Sequence, residues 1–195
     1  MKNKLFLLIA FLLVATTSWG EDSDPKFEIA VEPALRMFPY TPNYGTGIGA
    51  GLFMGLRMDS QFSLGIEPGI YSVPCVSSSS TNPILNPNGG VNDLEFAVVL
   101  KERFGKGPVR FFLAGGGGFS IFSDNSSYDY QDFYGRHHVS RNLSETDPIF
   151  KFAAGLDFKM GEGASFSLPL GFDWISASNV NLISLTLQPG FDFTF

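Results

Sequence analysis

The strongest constraint in this sequence is an alternation of apolar and polar residues with a period of two. It recurs in eight segments of about ten residues separated by turn-rich gaps, at 27–36, 47–57, 62–71, 94–103, 109–118, 150–159, 165–174 and 183–195. After the N-terminus, no apolar run approaches the roughly 20 residues that a transmembrane helix needs. Because side chains on a strand alternate between two faces, the pattern predicts an all-β protein whose strands each carry one apolar face.

The polar face of these segments indicates where the apolar face points. It is dominated by glycine, alanine and serine with isolated charges, whereas a water-facing sheet is rich in lysine, glutamate, threonine and glutamine. Small residues suit a narrow, crowded interior, and the apolar face then points outward to lipid. A lipid-facing wall cannot leave a free strand edge. We therefore expect a closed eight-stranded antiparallel up-and-down transmembrane β-barrel.

Charged residues on the predicted inner face are balanced. Seven are acidic and seven are basic: Glu28, Glu32, Glu67, Glu95, Asp157, Asp173 and Asp192 against Arg36, Arg57, Lys101, Arg103, Arg110, Lys151 and Lys159. Confined charges require partners in a low-dielectric space, so the balance predicts a lumen filled by salt bridges. Eight strands enclose an interior that side chains fill, which disfavours a general diffusion pore. The alternative is a narrow, porin-like channel for ions or small solutes through the salt bridges.

The first 20 residues are organised as a secretory signal peptide. Lys2 and Lys4 precede an apolar run at 5–15, and Ser18 and Gly20 are the small residues that a signal peptidase requires. We expect cleavage after Gly20, export across the inner membrane, and a single barrel domain at 21–195.

The connections between the segments alternate in length. Those at 57–61, 104–107 and 160–163 are short, whereas those at 37–46, 74–92, 123–148 and 176–181 are generally longer. Transmembrane barrels have short periplasmic turns and longer extracellular loops. The pattern therefore predicts that both chain ends lie on the periplasmic side.

Prolines interrupt four of the predicted strands, at Pro33, Pro68, Pro169 and Pro189. Proline cannot donate to a hydrogen-bond ladder, and a closed barrel has no edge where that defect is harmless. We expect β-bulges at these positions.

The last segment, from Leu185 to Phe195, ends in phenylalanine with apolar residues at alternate positions behind it, notably Leu187, Phe191 and Phe193. It resembles the C-terminal signal by which the barrel-assembly machinery recognises its substrates. Together with the signal peptide and the eight segments, it makes the mature chain similar to small bacterial outer-membrane β-barrel proteins of the OmpA-transmembrane-domain-like and OmpX-like type. The resemblance implies a monomer in the outer membrane, surrounded by lipid and lipopolysaccharide.

The longest connection carries the clearest indication of function. It contains five candidates for surface recognition, namely Tyr128, Tyr130, Phe133, Tyr134 and Arg136. We expect a structural role in the membrane and a surface-interaction role through the extracellular loops, with a merely solvated loop as the alternative. A net charge of −6 argues against nucleic-acid binding, which requires an excess of positive charge to contact the phosphates.

An enzyme is the third hypothesis, because some eight-stranded outer-membrane barrels are lipid A deacylases that pair a histidine with a serine two residues on. His138 and Ser140 have this spacing, with Glu145 or Asp147 as the acid. The residue after Ser140 is not the asparagine of the deacylase pattern, and the pair lies in a predicted loop. We expect no enzymatic activity, no cofactor and no metal site.

Overall fold

A computed structural model describes residues 25–41, 44–76, 84–176 and 181–195. The predicted signal peptide, at 1–20, lies outside the described residues. No helix in the described part of the chain is long and apolar enough to cross a membrane.

The described residues form twelve β-strands. In chain order they are β1 (Lys26–Met37), β2 (Gly47–Arg57), β3 (Phe62–Pro74), β4 (Ile84–Asn88), β5 (Gly90–Phe104), β6 (Val109–Asp124), β7 (Ser127–Asp132), β8 (Gly135–Ser140), β9 (Leu143–Gly161), β10 (Ala164–Ser176), β11 (Asn181–Leu187) and β12 (Gly190–Thr194).

Nine of these strands form one antiparallel ring, in which β11 and β12 together act as the eighth wall strand. Each wall strand pairs with its neighbour in the order β1, β2, β3, β5, β6, β9, β10 and then β11 with β12. Strands β11 and β12 also pair with β1, which completes the ring: Leu35 lies opposite Leu187, and Val31 lies opposite Phe191. The predicted eight-stranded antiparallel barrel is confirmed.

The two faces of the wall separate as the alternation predicts. Along β1, Glu28, Glu32 and Arg36 are buried, whereas Val31 and Leu35 between them are exposed. Large apolar side chains cover the outside of every wall strand, as a lipid-facing surface requires. We name the two ends of the barrel by their connections: the turn end has the short turns and both described termini, and the loop end has the long connections.

The prolines interrupt the ladders without shifting the register, so the predicted bulges at these positions are wrong. Val31 pairs with Phe191 and Leu35 with Leu187, which leaves equal lengths of β1 and of β11 with β12 between the two pairs. The ladder beside Pro68 resumes in the same register, and so does the ladder of β10 with β11 and β12. One common gap in the ladders contains three of the prolines, Pro33, Pro169 and Pro189. At this gap β1 and β10 both leave the β11–β12 wall strand unpaired, and the register resumes without an extra residue.

The longest predicted loop is mostly strand, which corrects the boundaries expected from sequence. Strand β6 continues to Asp124 and β9 begins at Leu143, so the barrel wall extends well into residues 123–148. Between them β7 and β8 form a hairpin, and β4 from the preceding connection pairs with β7. We call the three-stranded sheet β4–β7–β8 the rim sheet.

Candidate functional site

The lumen contains thirteen of the fourteen charged residues that the sequence places there. Lys159 is the exception: it has the inward parity but lies at the turn end of β9, where its side chain is exposed. Asp93, which the sequence analysis missed, is buried and forms an ion pair with Arg36. The ion-paired set therefore has eight carboxylates and six cations rather than seven of each.

The ion pairs near the loop end surround Arg36. Its guanidinium contacts Asp93 at 2.6 Å, Asp173 at 2.9 Å and also Glu95, and its Cζ atom lies 4.1 Å from the centre of the Tyr71 ring. Lys151 extends the set by contacting Glu95 at 2.9 Å and Glu67 at 2.6 Å. Serine and threonine hydroxyls supply further hydrogen bonds to Asp93 and Asp173. We call these six charged residues the loop-end network; it holds four carboxylates and two cations.

A second set of ion pairs fills the turn end. Arg103 binds Glu28 and Asp157, and Lys101 lies 2.9 Å from Asp192. Arg57 contacts Glu28 at 3.0 Å. The turn-end network consists of Glu28, Glu32, Arg57, Lys101, Arg103, Arg110, Asp157 and Asp192.

The two networks are separate in the described part of the chain, because no ion pair or side-chain hydrogen bond joins a member of one to a member of the other. A cavity of about 30 Å³ lies between them, lined by Glu32 and Lys101 on one side and by Glu67, Lys151 and Asp173 on the other. The lumen is a packed polar core with one small pocket between its two networks, within the described part of the chain.

Apolar side chains pack together beyond the loop-end network, toward the loop end of the barrel. Phe38, Val73 and Val91 form a buried cluster, and Phe122 and Leu182 pack against it from two other strands. These residues come from β3, β5, β6 and β11 and from the position directly after β1, so they line the loop end of the lumen from several sides. An ion entering from that side would meet this apolar layer and then the triply paired Arg36.

The rim sheet is held to the barrel by a cluster at its base. The Tyr44 hydroxyl donates to the Asp124 carboxylate at 2.7 Å, and Arg141 contacts the same carboxylate at 3.6 Å. Burial, and then this hydrogen bond, raise the pKa of Tyr44 far above its usual value, so the hydroxyl keeps its proton. Tyr128 is buried against Cys75. Tyr128 therefore anchors the sheet, which corrects its assignment as a recognition residue.

The turn between β7 and β8 has a defined conformation. The Asp132 carboxylate accepts hydrogen bonds from the backbone N–H groups of Tyr134, at 2.8 Å, and Gly135, at 3.2 Å. Gly135 has a φ of 132°, which favours glycine. Phe133 and Tyr134 are 98% and 89% exposed, with ring planes at 89° to each other. Of the five predicted recognition residues, these two are the most exposed.

The remaining predicted recognition residues form cross-strand contacts within the hairpin. Tyr130 stacks on His137 with ring centres 5.0 Å apart, and Arg136 forms an ion pair with Asp129 at 2.5 Å. His138 Nδ1 lies 2.8 Å from the other oxygen of Asp129. The polar side chains of this hairpin are thus largely paired with one another.

The residues of the deacylase hypothesis are placed as follows. His138 and Ser140 share one face of β8, and the carboxylate that His138 contacts is Asp129. Glu145 and Asp147 lie on β9, opposite Phe122 and Ser120 of β6. No motif in the sequence indicates the contact between Asp129 and His138, because that contact depends on the pairing of β7 with β8.

The C-terminal segment lies on the outside of the wall. Leu187, Phe191, Phe193 and Phe195 are all exposed, and Phe191 contacts the ring of Phe166 on β10. The backbone N–H of Phe195 donates to the carbonyl of Phe27 at 2.9 Å, which joins the end of the chain to β1. The four residues of the predicted assembly signal thus form one apolar row on the barrel surface.

Comparisons with known proteins give structural matches. No protein-family model matches the chain, and no curated protein does. The crystal structure of Neisserial surface protein A, NspA, matches with a TM-score of 0.57 at 11% identity, over 89% of this chain and 98% of that one. The outer-membrane enzyme PagL matches with a TM-score of 0.51 at 17% identity, over 84% and 98%.

At these identities the matches establish architecture. The ring of eight wall strands, the apolar exterior and the filled polar lumen agree with them. The chain has the fold of the small eight-stranded outer-membrane β-barrels, the OmpA-like and OmpX-like architecture that its sequence predicts.

Proposed function

We propose that this protein is a monomeric integral outer-membrane barrel that has a structural role in the membrane and contacts external surfaces through its rim sheet. The observation that carries the proposal is the rim sheet itself, a three-stranded element anchored through Tyr44, Asp124 and Arg141. An anchored sheet loses little conformational freedom on binding, which favours recognition over a merely solvated loop.

Three partners follow from this role. The apolar exterior is in contact with outer-membrane lipid and lipopolysaccharide, and the row Leu187, Phe191, Phe193 and Phe195 is the signal for the barrel-assembly machinery. The third partner is the surface that the rim sheet meets. Transport is not part of the proposal, because the lumen is occupied by the two networks and covered by the apolar cluster.

Removal of the hairpin tests the proposal. Residues 127–140 are replaced by a short Gly-Ser linker, and bacteria displaying either form are compared for adhesion to epithelial cells and to one another. Folding is checked by the difference in gel migration before and after boiling. We expect the shortened protein to fold as a barrel and to lose adhesion. Equal adhesion by both forms would contradict the proposed role.

A lipid A hydrolase is the second candidate, favoured by one observation. Asp129 contacts His138 Nδ1, and Ser140 lies two residues along on the same face, so the order of groups matches an acid, a base and a nucleophile. The test is the mass of lipid A after incubation with the refolded protein and with its Ser140→Ala variant. A mass decrease that requires Ser140 would support this candidate, and unchanged lipid A would eliminate it.

A further inference from the structure

The two aromatic rings at the turn between β7 and β8 are the most exposed large side chains of the β7–β8 hairpin. Phe133 is 98% exposed and Tyr134 is 89% exposed, although burying a phenylalanine or tyrosine ring is among the largest favourable contributions to protein contacts. The turn lies six residues along either strand from the base of the hairpin.

The turn presents both rings in a fixed arrangement. The Asp132 carboxylate accepts hydrogen bonds from the backbone N–H groups of Tyr134 and Gly135, and His137 Nε2 lies 3.0 Å from the same oxygen. The two rings pack edge to face with centres 5.8 Å apart. Because the turn is already ordered, its rings lose little conformational entropy when they enter another phase.

The charged groups beside the rings are engaged within the hairpin. Asp132 is held by the turn, and Asp129 is held by Arg136 and His138. The turn therefore offers apolar ring surface and one tyrosine hydroxyl, with few charged groups available to select a ligand. A lipid bilayer suits such a surface, because its apolar interior accepts aromatic rings without a pocket of matching shape.

We propose that Phe133 and Tyr134 form a membrane-contact tip, which inserts into a second lipid bilayer facing the one that holds the barrel. This inference rests on the proposed surface-contact role and names its target. Phenylalanine enters the acyl boundary, and the tyrosine ring lies at the headgroup level with its hydroxyl in water.

Charge decides which bilayer is favoured. The hairpin carries Asp129 and Asp132 against Arg136, and the whole chain has a net charge of −6. Anionic lipid therefore repels the protein, and zwitterionic lipid does not. We expect binding to phosphatidylcholine vesicles to exceed binding to vesicles that contain phosphatidylglycerol, most clearly at low salt.

The test uses the full barrel in lipid nanodiscs mixed with separate phosphatidylcholine vesicles, and measures co-flotation. The double variant F133S/Y134S removes both rings, and we expect it to bind at least about tenfold more weakly than the unchanged protein. Tyr40→Ser is the matched control, because Tyr40 is an exposed aromatic residue in another connection at the same end of the barrel, and its loss leaves binding unchanged. Empty nanodiscs give the background.

Insertion is measured directly with Phe133→Trp and brominated lipid, in a Trp174→Phe background because Trp174 lies on the lipid-facing wall. We expect quenching of the added fluorescence when the vesicles carry the bromine and none when only the nanodisc does. Three results would overturn the inference: no flotation of the unchanged protein, equal flotation of F133S/Y134S, or quenching from the nanodisc alone, which would place the tip in the barrel's own membrane. If removing 127–140 abolishes adhesion while F133S/Y134S does not, the rim sheet acts by other residues and the proposed surface role remains.

Discussion

At the scale of the residue, Arg36 is the central cation of the loop-end network. Its guanidinium is fully buried and is shared by three carboxylates from two strands, Asp93 and Glu95 on β5 and Asp173 on β10, with Ser184 on β11 as a further partner. A planar group with five donors suits this arrangement because it satisfies several acceptors at once. The side chain thereby ties β1 to β5 across the lumen and to β10 and β11 on the nearer side.

Replacing Arg36 with leucine leaves three carboxylates near one another without their cation. We expect a loss of about 3–5 kcal/mol in the free energy of unfolding, the usual range for removing one partner of a buried ion pair. The measurement is urea unfolding of the barrel in lipid vesicles, followed by tryptophan fluorescence. Lys159→Gln is the control, since the Lys159 side chain is exposed, and we expect its effect to stay within about 0.5 kcal/mol. Equal stability of the Arg36 variant and the control would show that the loop-end network is not structural.

Strand parity is a good predictor of the lumen at this scale, and its errors at Asp93 and Lys159 have physical causes. Asp93 was missed because the predicted segment began at Leu94, although Asp93 lies two residues before Glu95 and so on the same face. Lys159 has the right parity but lies at a barrel end, where water replaces the ion-pair partner. Parity assigns a face; it does not give the depth along the barrel axis or the identity of the partner.

At the scale of the element, two neighbouring glycines of β6 differ in how much space surrounds them, Gly118 on the inward face and Gly117 on the outward face. A Cβ atom at the inward position 118 would lie 1.8 Å from the Phe96 carbonyl oxygen of β5. A Cβ atom at the outward position 117 would lie 3.5 Å from its nearest neighbour, which is an ordinary contact. The inward glycine therefore permits the close approach of β5 and β6.

We expect Gly118→Ala to destabilise the barrel by at least about 2 kcal/mol, because the added methyl group forces the two strands apart. The matched variant Gly117→Ala adds the same methyl group to the lipid-facing side and leaves the midpoint of urea unfolding nearly unchanged. Similar midpoints for the two variants would contradict the packing described for β5 and β6.

The β7–β8 turn depends on pH through Asp132. Partial desolvation disfavours its ionised form, but the Tyr134 N–H and His137 outweigh that effect and lower the pKa of Asp132 below its ordinary value of 3.8. A carboxyl whose pKa falls on folding stabilises the turn above its unfolded pKa, and this stabilisation is lost as pH falls through the folded pKa. We therefore expect the Tyr134 amide to lose protection from hydrogen exchange only in acid below about pH 4. Protection that is lost well above pH 4 would contradict this role of Asp132.

The rim sheet is the element that sequence alone did not predict. The period-two signal in 127–140 is short and rich in polar residues, and its strands pair with each other and with β4 rather than with the wall. Which face of such a hairpin packs on the barrel depends on the base cluster, so Tyr128 was assigned to the surface although it is buried. The wall strands were predictable because lipid on one side and a filled lumen on the other impose a strict alternation.

At the scale of the whole molecule, the lumen consists of two separate networks with a small cavity between them and an apolar layer at the loop end. Interior charges in a channel line a continuous aqueous path. Here they hold strands together, since each network joins residues from at least four wall strands. A lumen filled in this way agrees with the function that we propose, in which the rim sheet is the part of the molecule that contacts external surfaces.

Planar-bilayer conductance of the refolded barrel tests the closed lumen most directly. Folding is first verified by the change in gel migration on boiling, so that a silent membrane cannot be attributed to unfolded protein. We expect the membrane current to remain at baseline, because ions would have to displace the Phe38, Val73 and Val91 layer and then the ion pairs of Arg36. Stable, stepwise conductance from the folded protein would contradict the closed lumen and would make the protein a channel.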